Sequence, residues 1–188
     1  VEQNGPQSAS VLELVDAHRT GRLEIALLAA SASENSRSKR FPGNSGIFNQ
    51  RVSALGWKDL PLVKMPGING LSYWDFCYIV EDGDAFEKKI NALWQAIAPR
   101  VARSPSDHLP FGHTLDDNAI QSKELSKWRN TWCDIISAYS HIHEGRDTFV
   151  TRNTKDFQRN SEKLAQLGMK HISTPQGTLR LMESLAQG

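Results

Sequence analysis

The sequence predicts an α/β fold in which a parallel central sheet lies between layers of helices. A helical pattern followed by a short apolar segment opens the chain. The last third repeats that alternation with short links, which is typical of parallel strands joined by right-handed crossovers. A length of 188 residues suits one domain with a core of its own. We therefore expect a single α/β domain over residues 1–188.

The first elements set this pattern. Apolar residues at helical spacing predict a helix over Ser8 to Thr20, and Gly21 is a typical helix stop. The segment 23–30, "LEIALLAA", is short and apolar enough for a buried strand. The polar stretch 31–37 then opens a second helix, which places Glu34 close to the end of that strand.

The middle of the chain, 41–120, is interpreted as an insertion or an enlarged helical cap. Glycine and proline punctuate it, and its first helix is expected around 48–55. The segment 73–80, "YWDFCYIV", predicts a strand. An amphipathic helix follows over 85–101 and is expected to run until Pro99.

The last third is regular again. Its expected elements are a long helix over 122–145, a strand over 148–152, a helix over 157–167, a strand over 170–173 and a final helix. Thr174 can cap that final helix, and Pro175 suits its first turn.

Composition narrows the class of protein. The net charge is +1 and hydrophobic residues make up 39%, which suits an ordinary globular protein. No apolar run approaches the roughly 20 residues that span a bilayer, and the start of the chain has no secretory-signal pattern.

Cys77 and Cys133 lie in apolar surroundings without metal-like spacing, which favours buried free thiols and a cytoplasmic location. Residues 35–64 carry six Lys or Arg against one Asp, so this part could meet a polyanion or simply be a solvated loop.

Candidate functional residues follow two of the predicted strands. Ligands bind at the carboxyl ends of strands in open parallel sheets. Glu34 comes just after the first strand, and Thr151, Asn153 and Asp156 come after the strand 148–152. Asp134 lies on the long helix, where Ala138 and His141 share its face and Ala138 would keep that face open.

Several carboxylates in one place repel each other unless a divalent ion neutralises them, and oxygen ligands favour Mg²⁺ or Mn²⁺. Such a cluster indicates nuclease or phosphatase chemistry. Each acid alone also has a structural explanation. Glu34 can cap a helix, Asp134 can pair with Arg129 or Lys127, and Asp156 can be a surface turn residue.

Two further groups of residues are expected to be structural. The histidines His108, His113, His141 and His143 lack a convincing zinc spacing, and His141 suits the end of a helix, where the dipole favours a cation. The five tryptophans mostly occupy apolar-face positions and are expected in the core instead of stacking on bases.

Three segments, in order, resemble the PIN domain family, which includes the VapC-like toxin ribonucleases. Residues 132–157, "WCDIISAYSHIHEGRDTFVTRNTKDF", resemble the family's C-terminal signature of an acid on a helix, an alanine four residues later, and a strand ending in Thr-x-Asn before an acid and Phe. Residues 23–37 are similar to its second strand and the following Glu. Residues 171–182 are similar to its closing strand, Thr-Pro and helix.

The resemblance implies a three-layer α/β/α domain that acts as a metal-dependent endoribonuclease, with RNA as its substrate. It implies Mg²⁺ or Mn²⁺ as cofactor, and an antitoxin protein and a homodimer as further partners. The catalytic residues would be Glu34, Asp134 and Asp156, with Glu34, Asp134 and Asn153 as metal ligands. RNA would be bound by Thr151, Arg152, Lys155, Arg37 and Arg40.

The chain departs from the family at its start. PIN domains begin with a strand that ends in a functionally important Asp, and no such strand precedes the first predicted helix here. That strand is central in the family's sheet, and without it two backbone edges would stay open. We therefore expect the chain to continue upstream of Val1, or else the segment 73–80 to fill the gap with Asp75 replacing the acid. Because of Asn153 and the missing Asp, a second possibility is a PIN-like protein that binds RNA or a partner without catalysis. A third is a phosphatase or other hydrolase on the same scaffold, because a fold does not determine a function.

Overall fold

Short parallel strands and a larger share of helix form the described fold. It is a computed structural model, described for residues 7–33, 45–153 and 155–186. Of the described residues, 54% are helical and 8% lie in strands, and every described strand pair is parallel. The mixed α/β class predicted from the sequence agrees with this structure. Among the described helices, none is long and apolar enough to cross a membrane.

Seven α-helices are described. They are α1 Ser8–Arg19, α2 Gly46–Ala54, α3 Gly83–Ile97, α4 Asp117–Gln121, α5 Ser126–His143, α6 Ser161–Gln166 and α7 Pro175–Ala186. Six short strands accompany them. They are β1 Leu27–Leu28, β2 Leu62–Val63, β3 Met65–Pro66, β4 Cys77–Tyr78, β5 Thr148–Val150 and β6 His171–Ser173.

Several predicted helix ends and caps match the structure, whereas α5 and α6 each begin four residues later than predicted. Helix α1 ends beside Gly21, whose φ of 72° is the left-handed conformation that glycine adopts without strain. The hydroxyl oxygen of Thr174 accepts a hydrogen bond from the backbone N–H of Gly177 at 3.1 Å, and Pro175 is the first residue of α7. Helix α3 begins two residues earlier than predicted because Asp82 accepts the N–H of Ala85 at 2.9 Å.

The strand predicted over 23–30 is much shorter in the structure. Only Leu27 and Leu28 form a strand, and the chain turns directly into a 3₁₀ helix over Ala29–Ala32. Ala29, Ala30 and Ala32 are buried in the main core. Alanine has little strand preference and a small side chain, so this stretch coils against α5 instead of extending.

The strands do not form the expected continuous central sheet within the described residues. They form three separate parallel pairs, β1 with β2, β3 with β4, and β5 with β6. Residues 73–80 contribute a 3₁₀ helix and β4, which pairs with β3. They do not fill a gap between other strands, and Asp75 is exposed, so the alternative based on Asp75 is wrong here.

Strand β5 has one edge bonded to β6 and one edge without a partner strand among the described residues. Thr151 donates to the carbonyl of Ser173 at 2.9 Å, and His171 donates to the carbonyl of Asp147 at 3.3 Å. Successive residues of a strand direct their backbone groups to opposite edges. The backbone groups of Thr148 and Val150 therefore point away from β6, where no further described strand pairs with β5.

The main core forms where α5 packs against α3. Leu93 of α3 and Ile135 of α5 are fully buried, and the rings of Trp94 and Trp132 meet edge to face with centroids 5.2 Å apart. Four of the five tryptophans are buried as predicted, whereas Trp74 is 87% exposed. A smaller cluster joins Val15 of α1 to residues after α2. This packing fixes α5, the helix that carries Asp134.

Candidate functional site

The turn after β5 is organised by its own polar side chains. The Thr151 hydroxyl oxygen accepts the backbone N–H of Asn153 at 3.0 Å. The side-chain oxygen of Asn153 accepts the N–H of Asp156 at 3.3 Å, and the carbonyl of Asp156 accepts the Asn160 amide at 3.0 Å. These short polar residues favour such local bonds. Thr151, Asn153 and Asp156 therefore lie together in one turn at the carboxyl end of β5, as the sequence predicts.

An aromatic anchor holds this turn against the core. Phe157 is 2% exposed, and its ring lies 4.7 Å from that of Phe149 in β5. Asp156 precedes it and is half-buried. Among the described residues, the Asp156 carboxylate has no hydrogen-bond or ion-pair partner. The turn thus presents a carboxylate from a fixed backbone position.

Arg152 and Lys155 are exposed residues of the same turn. Their long side chains place two cations near the carboxyl end of β5, where they can reach phosphate groups in solution. Arg37 and Arg40, which were predicted to accompany them, lie outside the described residues.

Asp134 occupies the middle of α5 and is half-buried. Its neighbours in sequence, Cys133 and Ile135, are buried in the core, which fixes the helix at this point. Helix α5 packs against the 3₁₀ helix Ala29–Ala32, which ends two residues before Glu34 in the sequence. Glu34 itself lies outside the described residues.

Ala138 and His141, which share the face of α5 with Asp134, are more deeply buried than the sequence predicts. Ala138 is fully buried in the core and so does not line an open cleft. His141 is 4% exposed, and its ring meets that of Phe149 edge to face at 5.3 Å. Burial, with a smaller effect from Arg146, lowers the pKa of His141 to about 4. His141 is therefore neutral near pH 7, and the sequence-based interpretation as a helix-end cation is wrong.

Arg129 is a buried cation that sequence reasoning did not single out as important. Its side chain is fully buried, and one guanidinium nitrogen donates to the carbonyls of Ile120 and Ser122. Burial lowers its pKa from the usual value. Arg129 therefore connects the end of α4 to the start of α5. Its position on the apolar face of α5 is the sequence feature that could have predicted its burial.

A metal site cannot be assembled from the described side chains alone. Within residues 7–33, 45–153 and 155–186, no group of three or more His, Cys, Asp or Glu side chains is arranged to hold a metal ion. Asp134 and Asp156 are the predicted carboxylates in this part of the chain. The expected role of Mg²⁺ or Mn²⁺ thus depends on residues outside it, Glu34 among them.

Comparisons with protein-family models, with curated proteins and with solved structures found no match for this chain.

Proposed function

We propose that this protein is a PIN-like endoribonuclease that cleaves RNA phosphodiester bonds, with Glu34 and Asp134 as its central acids. The observation that carries the proposal is the packing of α5 against the 3₁₀ helix Ala29–Ala32. This packing brings the helix that bears Asp134 to the segment that leads into Glu34. Ser33, the last described residue before Glu34, therefore lies close to the helix that bears Asp134, which is 100 positions from Glu34 in sequence.

The residues that precede the two acids support this arrangement. Ser33 and Cys133 line the same small void of about 10 Å³ between α5 and the 3₁₀ helix. Ser33 is 1% exposed, and its hydroxyl donates to the carbonyl of Leu71 at 2.5 Å. Buried groups held in this way have few alternative positions. The residues that directly precede the two acids, Ser33 and Cys133, are therefore held in defined positions.

The turn after β5 would supply the groups that hold the substrate. Arg152 and Lys155 are exposed cations that can pair with backbone phosphates of a single-stranded RNA. The Thr151 hydroxyl retains its proton for donation, because its oxygen is the acceptor in the bond to Asn153. Asp156 belongs to the same turn, and its carboxylate can accept a hydrogen bond or a proton.

Cleavage of a single-stranded RNA in the presence of Mn²⁺ tests the proposal. Asp134→Asn keeps the shape of the side chain and removes its charge, so we expect a loss of initial rate on the order of a hundredfold or more, as for other groups that act directly in catalysis. Asp147→Asn is the matched control, since that exposed Asp pairs with Lys170 at 3.1 Å at the other end of β5. Equal rates for wild type and Asp134→Asn would refute the assignment.

A second candidate is a PIN-like protein that binds RNA or a partner without cleaving it. Asn153 stands where the resemblance expects an acid, and its side-chain oxygen already accepts the N–H of Asp156. The described turn therefore offers Asp156 as its carboxylate and Asn153 as a neutral group. This geometry favours a binding role over a dense acidic centre.

Cleavage with Mn²⁺ distinguishes the two candidates, and the salt dependence of affinity shows whether RNA is bound through its phosphates. Binding without catalysis predicts a steep fall in RNA affinity with salt and no cleavage with Mn²⁺. Arg152→Gln with Lys155→Gln should reduce the slope of log affinity against log salt by about 0.7 for each RNA phosphate that the protein no longer neutralises. Lys88→Gln, at an exposed position of α3, is the control. Turnover of a small phosphate ester without RNA cleavage would instead indicate a phosphatase.

A further inference from the structure

A second concave region lies at the C-terminal end of α5. It is a cleft of about 740 Å³ between residues 78–82, the first turns of α3 and the last turns of α5. Asp134 and His143 are nine residues apart on α5, which is roughly 13 Å along the helix axis. Neither Asp134 nor any of Thr151, Arg152, Lys155 and Asp156 lines the cleft, which is therefore separate from the candidate site for RNA.

Stacked aromatic rings form the floor of this cleft. The ring of His143 stacks on Tyr78 with centroids 5.3 Å apart and on Tyr139 with centroids 5.8 Å apart. Phe86 of α3 meets Tyr139 edge to face at 5.0 Å. Rings packed in these geometries hold each other in place. The floor is thus formed before any ligand binds.

A large apolar side chain stands at the edge of the cleft. Ile79 lines it and is 85% exposed, although it follows β4 directly. Burial of such a side chain against a partner removes apolar surface from water and favours association. An occupant that reaches both Ile79 and the aromatic floor must extend beyond the cleft, as a peptide chain does.

The charges around the cleft are predominantly negative. Glu81 and Asp82 line it, and Asp84 and Glu144 follow within one turn of the same elements. The last carbonyls of α5 add partial negative charge, and the first N–H groups of α3 add partial positive charge, which the Asp82 carboxylate offsets by accepting the N–H of Ala85. Lys89 is the opposing cation in the lining, and its amine donates to the carbonyl of Leu167 at 2.6 Å. A cationic occupant therefore complements this surface.

We infer that the cleft binds a basic peptide segment of a partner protein. A bulky apolar side chain of that segment packs against Ile79 and the aromatic floor, and neighbouring Lys or Arg side chains pair with Glu81 and the acids beside it. This binding role goes beyond the proposed ribonuclease activity and does not depend on it.

A random short-peptide library displayed on phage, selected on the full chain, tests this inference. We expect enriched peptides to carry a bulky apolar residue close to Lys or Arg. Their synthetic versions should bind Ile79→Ser and Glu81→Lys at least about fivefold more weakly than wild type, the size of effect typical of an interface anchor. Leu12→Ser is the matched control, because Leu12 is 59% exposed on α1.

Three results would overturn the inference. They are the absence of enriched peptides, enrichment of acidic peptides, and peptides that bind Ile79→Ser and Glu81→Lys as well as wild type. Both substitutions change exposed side chains, so thermal unfolding should remain that of wild type. Glu81→Gln, which removes the charge without reversing it, should weaken binding to an intermediate degree and repeats the test with a milder change.

Discussion

Buried neutral His141 makes the stability of this protein depend on pH in a defined window. Its pKa falls from 6.5 to about 4 because burial disfavours the charged imidazolium. Between these two values the unfolded chain binds more protons than the folded one, so stability rises with pH. The contribution is therefore present above pH 6.5 and is lost as pH falls towards 4.

The magnitude follows from the two pKa values. At pH 5 the unfolded imidazole is almost fully protonated, whereas the folded one remains mostly neutral. Moving from pH 7 to pH 5 should cost about 2 kcal/mol of unfolding free energy through this residue alone, and the loss reaches about 3 kcal/mol near pH 4. Arg146 and Lys170 near the ring oppose its protonation, and Asp147 favours it.

Urea unfolding followed by tryptophan fluorescence measures this effect. In His141→Phe the ring can keep its edge contact with Phe149 but has no proton to bind, so its stability should change about 2 kcal/mol less than wild type between pH 7 and pH 5. His143→Phe, at an exposed position of the same helix, should behave as wild type. Equal pH dependence in wild type and His141→Phe would refute a buried neutral His141.

Two further predictions concern local structure, and both are checked by urea unfolding at neutral pH. Asp82→Ala removes the side chain that caps α3 and should cost about 1 kcal/mol, whereas Asp84→Ala should cost less because it caps nothing. A gain or no change for Asp82→Ala would contradict the cap. Gly70→Ala places a Cβ 2.8 Å from the side chain of Ile120 at a φ of 73°, whereas Gly21→Ala has a similar φ and open space. Each variant should lose about 1 kcal/mol of unfolding free energy to backbone strain, and Gly70→Ala should lose about 1 kcal/mol more because of crowding. Equal losses in the two variants would contradict the close approach of Gly70 to Ile120.

The sequence predicted helices and their ends well because those signals are local. The cap at Thr174, the proline at position 175 and the glycine at position 21 act on residues within one turn, so spacing alone locates them. The turn after β5 was predicted for the same reason, since Thr151 and Asn153 bond to their own neighbours.

Strand extent and burial could not be predicted as well because they depend on contacts distant in sequence. The segment 23–30 reads as one strand, yet its alanines pack as a 3₁₀ helix against α5, which lies 100 residues further on. His141 reads as a helix-end cation, and only its contact with Phe149 across the link to β5 reveals a neutral core residue. Propensity is a weak guide wherever tertiary packing decides.

The joint action of Glu34 and Asp134 is the central claim, and a double-variant cycle tests it most directly. Single-turnover cleavage of one single-stranded RNA with Mn²⁺ would be measured for wild type, Glu34→Gln, Asp134→Asn and the double variant. Groups that act as one unit are not additive, so the double variant should be about as slow as either single variant, each on the order of a hundredfold below wild type. Losses that multiply in the double variant, or a wild type that does not cleave RNA, would contradict a shared catalytic site.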